Sequence, residues 1–142
     1  MDKREKPALR RYFFDTEFCD SANTGFSTDF ISLGIVDEDG NEFYGVYEGL
    51  DIEAMRKANP WLDKHVLQKL PYSDEWLSLD EIRQGVLDMI EPADEIEFWA
   101  KNGSYDNYML CRLFGGMGNM MQRLAKEKGV GKVVFRDTNE LK

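Results

Sequence analysis

Cysteine, histidine and proline are scarce in this chain of 142 residues, which has two, one and four of them. Two cysteines, Cys19 and Cys111, are too few for a disulfide framework, and neither sits in a paired C-x-x-C metal spacing, so both read as reduced thiols. No stretch approaches the roughly 20 apolar residues of a membrane span, and Met1 to Lys6 lacks the apolar core of a signal peptide. The expectation is a soluble, cytoplasmic protein with no membrane partner. Positive charge is also short. Against 27 Asp and Glu stand 18 Lys and Arg, a formal charge of −9. That balance argues against a broad basic patch holding nucleic acid by counterion release, and leaves room for a local acidic site that works through metal ions. No internal repeat, linker or low-complexity segment is visible. What is present is 42% hydrophobic and 13% aromatic residues, enough for one domain over 1–142. A chain near this length buries roughly 68–70% of the surface its unfolded form exposes.

Arg11 to Phe18 and Phe30 to Val36 are dense in apolar residues and read as strands, the second as central. The small and polar residues Asp20 to Asp29 suit the connection between them. Asp37 to Asn41 carries an Asp-Gly turn signal, and Glu42 to Tyr47 alternates as a third strand of an antiparallel meander. Helical spacing follows over Asp51–Ala58 and Trp61–Leu70, broken by Pro60 and closed by Pro71. Ser78 and Glu81 form a capping box for a helix that Pro92 ends. Glu95–Ala100 reads as a strand, Ser104–Phe114 and Asn119–Lys128 as helices with Gly129 as a cap, and Val133–Phe135 as a last short strand. The fold class is mixed α/β, with about five strands.

Asp15 and Glu17 lie inside the first aromatic strand, two apart and so on one face. Unit charges about 4 Å apart repel by about 4 kcal/mol at an effective dielectric near 20, so a pair at a core edge calls for a cation or a shared proton. The bland alternative is two solvated acids. Asp106 falls in the first turn of the helix after Asn102-Gly103, where it either complements the helix dipole or faces the first strand. Gly115-Gly116-Met117-Gly118 lacks a dinucleotide-binding spacing and reads as a helix–helix turn. Trp61 and Trp76 read as core or interface, and Lys126, Lys128 and Lys132 as a solvated face.

Together these segments resemble the DEDD superfamily of 3′–5′ exonucleases, which has the ribonuclease-H-like fold. Phe14-Asp15-Thr16-Glu17-Phe18 matches the first motif, and Tyr105-Asp106 with Leu110 the second. The flavour is that of the small polyadenylate-preferring exoribonuclease branch of mycobacterial type, carried by Arg11–Phe18, Ile31–Val36, His65–Pro71 and Trp99–Cys111. The resemblance implies a three-layer fold with a leading meander and helices around a mixed sheet of about five strands. It implies two Mg²⁺ or Mn²⁺ ions, with Asp15 bridging them and Glu17 and Asp106 each contacting one. It implies single-stranded RNA 3′ ends as substrate, nucleoside 5′-monophosphates as product, an adenylate preference and a homodimer. Thr16, Phe18 and Tyr105 would then border the substrate, although Phe18 also suits a plain core aromatic.

The third motif of that superfamily, a His and an Asp five residues later, departs here. Asn139 takes the His position, and the Asp would fall beyond Lys142. The catalytic C-terminal helix is thus expected to be absent or cut short. Asp137 and Asn139 are the nearest replacements, with Glu140 a further nearby acid, whereas His65 lies in the connection before the second motif and reads as a packing or partner-facing residue. Three readings remain open: an exonuclease acting on RNA, or on DNA; a degenerate member that binds metal, nucleotide or protein without catalysis; and a structural domain with solvated acids.

Overall fold

A computed structural model describes residues 6–20 and 28–141. Five strands form one sheet: β1 (Leu9–Asp20), β2 (Thr28–Asp37), β3 (Glu42–Val46), β4 (Ala93–Ala100) and β5 (Val130–Asp137), in the order β3-β2-β1-β4-β5. The first three are antiparallel, while β4 runs parallel to β1 and β5 parallel to β4. The leading meander and the helices around a mixed five-stranded sheet agree with the expectation and with a ribonuclease-H-like fold. One detail differs. The middle strand is β1, with β2 interior beside it, because β4 returns to the edge of β1 that the meander leaves unpaired.

The strands also run longer than their apolar runs. β1 and β2 extend to Asp20 and back to Thr28, so the connection is shorter than 20–29, and residues 21–27 lie outside the described part. β5 covers eight residues rather than three, since parallel pairing from Ala93↔Val130 to Ala100↔Asp137 recruits Gly131, Lys132 and Arg136. The backbone ladder, not side-chain hydrophobicity, sets those ends.

The β2–β3 turn is held by Asp37. Its carboxylate accepts hydrogen bonds from the Asp39 and Asn41 N–H groups at 2.8 and 3.0 Å and from Asn41 Nδ2 at 2.9 Å, and Gly40 takes a φ of +88°. Burial pushes the Asp37 carboxyl up, but these bonds and the Arg10 guanidinium outweigh it and hold it below the usual range. Asp37→Ala is expected to cost about 1–3 kcal/mol, because the turn loses the charged acceptor of three hydrogen bonds. A lowered urea midpoint at unchanged slope would show it.

The helices follow the local rules. Asp51 caps α1 (Ile52–Ala58) by accepting from Ala54 N–H, and Asn59 caps α2 (Pro60–His65) by accepting from Leu62 N–H. The break read at Pro60 falls at Asn59, and Pro60 opens α2 at its first position, where the missing N–H costs nothing. The helix stops at His65, and Leu67–Lys69 forms a separate 3-10 turn. α3 (Leu79–Met89) carries the full capping box of Ser78 and Glu81. α4 (Ser104–Leu113) and α5 (Met117–Lys128) follow, the latter closed by left-handed Gly129 at φ +67°. None of the described helices is long and apolar enough to cross a membrane.

Tyr12, Phe14, Leu33, Ile35, Ile96 and Phe98 of the sheet pack with Ile82, Val86, Leu110, Met120 and Leu124 of α3, α4 and α5 in the main core. A Cβ at Gly85 would meet the Phe43 ring at 2.2 Å, so α3 lies flush against β3 only because that position is glycine. A second cluster joins Cys19 and Ile31 to Met55, Leu62, Val66 and Leu67, which seats α1 and α2 on the far end of β1.

Candidate active site

Alternation along β1 buries Thr16 at 4% exposure and leaves Asp15 and Glu17 on the other side of the strand, as their spacing predicts. Between Glu17 and Phe18 the pairing slips: Glu17 faces Ser32 and Phe18 faces Phe30, leaving Ile31 as an extra residue. Past that bulge the Phe18 ring stacks on Tyr105 of α4, with centroids 5.0 Å apart and planes 28° from parallel.

β4 delivers the third acid. Because Phe13 pairs with Trp99, β4 ends beside the acids of β1, and a turn with Asn102 at φ +51° starts α4 there. Asp106 sits in the first turn, 6% exposed. Its Oδ1 accepts both the Thr16 backbone N–H at 3.0 Å and the Thr16 hydroxyl at 2.5 Å. A carboxylate serving only the helix dipole would face solvent, whereas this one is clamped to β1. The structure thus ties Asp106 to Thr16, the residue between Asp15 and Glu17, with Phe18 and Tyr105 stacked alongside.

The electrostatics of the group are those of crowded acids. Burial, then the Asp106 charge, pushes the Asp15 carboxyl up, against a hydrogen bond from the Thr16 backbone that lowers it. Burial, then Asp15 and Asp106, raises Glu17. Carboxylates raised by burial and by one another's charge are relieved by a neutralising cation. An oxygen-only donor set of this kind fits Mg²⁺ or Mn²⁺ and suits soft metals poorly. Among the described residues no three acids, histidines or cysteines already converge closely enough to cage a metal. Asp15 also borders an open depression of about 460 Å³, lined with Phe13, Gly34, Val36, Glu42 and Tyr44.

The third-motif candidates are engaged at the turn before α4. Asp137 accepts from the Asn139 N–H at 2.9 Å, and this bond, with others from the Asn102 and Gly103 backbone, holds its carboxyl below the usual range. Asn139 Nδ2 donates to Asn102 Oδ1 at 2.7 Å, and Glu140 accepts from Arg136 and from the Asp137 N–H. Together they brace the turn that precedes α4. His65 stands on α2, exposed, with its ring against Trp61.

One acid has no counterpart among the sequence candidates. Glu97 is 4% exposed on β4 and accepts from Arg11 Nε at 3.0 Å, Trp99 Nε1 at 3.0 Å and Arg136 Nε at 3.3 Å. Burial would push it up, but those three bonds outweigh it and lower it, so its contribution to stability is present above the ordinary Glu range and lost as pH falls. Its role is to knit β1, β4 and β5. The acidic-apolar alternation of Glu95–Ala100 is the available signal, although alternation alone suggests a solvated face.

Comparison with known proteins adds a second line. The chain is 42% identical over 111 residues to 3′–5′ exoribonucleases of Mycobacterium tuberculosis, strains CDC 1551/Oshkosh and ATCC 25618/H37Rv. These proteins are its homologues. The alignment takes in 75% of this chain and 62% of each relative, so the chain spans less than two thirds of their length. No protein-family model matches the sequence.

Proposed function

We propose that this protein is a divalent-metal-dependent 3′–5′ exoribonuclease of the DEDD type that hydrolyses single-stranded RNA ends to nucleoside 5′-monophosphates. The observation that carries the reading is the clamp of Asp106 onto Thr16, the residue between Asp15 and Glu17, in a chain 42% identical to proteins named 3′–5′ exoribonucleases. Asp15, Glu17 and Asp106 would hold two Mg²⁺ or Mn²⁺ ions, which when bound supply charge neutralisation at the scissile phosphate and an acidified water. Thr16 holds Asp106 in place through two hydrogen bonds. The Phe18–Tyr105 stack gives the terminal base or sugar an aromatic wall, with Tyr105 50% exposed. Adenylate preference, a homodimer and a cytoplasmic location belong to the same reading.

Purified protein with Mn²⁺ is expected to shorten a 5′-labelled oligoadenylate from its 3′ end. A second reading, a non-catalytic metal- and nucleotide-binding member, is favoured by the engagement of Asn139 with Asn102. Calorimetric binding of Mn²⁺ and AMP without shortening would select it. Mn²⁺ affinity no greater than that of the Asp15→Asn/Glu17→Gln double variant would eliminate both. Within the catalytic reading, Thr16→Val keeps the backbone N–H and removes the hydroxyl, and is expected to weaken Mn²⁺ binding by about 10- to 100-fold, as loss of a ligand-orienting partner does. Unchanged affinity on titration would count against the clamp.

A further inference from the structure

The exposed side of α2 carries an aromatic and basic patch that neither the core nor the acidic site accounts for. Leu62 and Val66 face the second core cluster, so Trp61, Lys64 and His65, spaced i, i+3 and i+4, share the opposite side. Trp61 is 64% exposed, and its ring lies 4.6 Å from that of His65, with planes 32° apart. A large indole left in water and backed by a second ring is an open stacking surface.

The charge around it runs against the rest of the chain. From Arg56 to Lys69 there are four Lys or Arg and one Asp, in a protein of formal charge −9. Arg56 is shared between Asp63 at 2.9 Å, which ties α1 to α2, and Glu53 at 3.2 Å. Lys57, Lys64 and Lys69 are exposed and have no acidic partner among the described residues. Aromatic surface interleaved with unpaired lysines is what single-stranded nucleic acid fits: bases stack and phosphates meet ammonium groups.

Position links the patch to the acids. Phe18 touches Tyr105 of α4, and the next residue, Cys19, packs in the cluster with Leu62 and Val66 of α2. Two residues of strand span about 7 Å, and a helix with its side chains is about 10–12 Å across, so the patch begins within reach of the last few nucleotides of a strand whose 3′ end lies at Asp15 and Glu17.

We propose that Trp61, His65 and the lysines Lys57, Lys64 and Lys69 form an upstream subsite that grips single-stranded RNA a few nucleotides from its 3′ end. The inference rests on the exoribonuclease reading and adds to it a length-dependent grip in an otherwise anionic protein.

Equilibrium binding of fluorescent RNA, with EDTA present to stop hydrolysis, tests it by comparing an oligoadenylate of about twelve nucleotides with a dinucleotide. Trp61→Ala is expected to weaken the long ligand by about 5- to 150-fold, the loss of one base–aromatic stack, and to leave the dinucleotide unchanged. Lys57→Ala/Lys64→Ala/Lys69→Ala is expected to flatten the dependence of log K on log salt by about 0.7 for each phosphate that the lysines no longer neutralise. Equal affinity of both variants and wild type for the long RNA, in protein that still shortens RNA with Mn²⁺, overturns the subsite and leaves the exoribonuclease reading standing. Absence of both shortening and RNA binding in wild type overturns the two together. A change in sedimented mass of Trp61→Ala at unchanged RNA affinity assigns the face to protein contact, which also overturns the proposal.

Discussion

Asp15→Asn is expected to abolish the Mn²⁺-dependent shortening of an RNA 3′ end while making the metal-free protein more stable. The loss should be on the order of 10³-fold or more, the range in which removal of a charge-stabilising group affects phosphoryl transfer. Asn keeps the shape of the side chain but withdraws its charge. The stability gain follows from the direction of the pKa. Burial, and then Asp106, raise the Asp15 carboxyl in the folded state, so the native protein binds that proton more tightly than the unfolded chain does. Stability therefore falls as pH rises from the ordinary carboxylate range through the raised value, and at neutral pH the ionised group opposes folding. Asn removes that opposition. In EDTA the melting temperature of the variant should exceed that of wild type at neutral pH, and the difference should vanish below the ordinary Asp range. A variant that is both inactive and less stable at neutral pH would show Asp15 to be an ordinary structural acid. Retained activity would remove it from the site altogether.

The second large effect concerns the scaffold. Phe98 is 1% exposed and is the hub of an aromatic group, with Tyr12 at 6.0 Å, Phe14 edge-on at 5.9 Å and Phe135 stacked at 5.8 Å. These rings join β1, β4 and β5 on the face covered by the helices. Phe98→Ala is expected to cost about 3–5 kcal/mol, through lost transfer energy and a cavity that a closely paired sheet cannot collapse. With native stabilities of about 5–15 kcal/mol, this is a large share of the total. Urea unfolding should show a much lower midpoint at similar slope, and Phe98→Leu should recover much of the loss. Activity per folded molecule should be preserved, because Phe98 packs in the core and its ring partners are aromatic, not acidic. A loss of turnover in fully folded Phe98→Leu would instead mean that packing under β4 sets the position of α4.

Local pattern falls short at three places, each for a physical reason. The break read at Pro60 is present, but the proline belongs to α2 and opens it, because proline is disfavoured inside a helix and suited to its first position. The last strand reads as Val133–Phe135, yet pairing with β4 extends it over polar residues. Trp61 reads as core or interface, and with 64% of it exposed the core half of that reading fails. For the strand and the indole, local composition is the only guide, and neighbours distant in sequence decide the outcome.

By itself the sequence determined the local devices. The capping box of Ser78 and Glu81, the Gly129 cap, the Asp37–Asn41 turn and the placement of Asp15 and Glu17 on one side of an aromatic strand are all properties of a few consecutive residues. Such features rest on backbone sterics and short-range hydrogen bonds, which a pattern of residues specifies directly. Tertiary structure alone decided what Asp106 does. Its partner Thr16 is 90 residues away, and the two meet because β4 lies against β1. With β5 paired on the other edge of β4, Glu97 is buried between two arginines and a tryptophan, and Asp137 and Asn139 reach the turn before α4. Which strand edge a returning strand selects depends on the whole sheet and the core beneath it, and no local period carries that information.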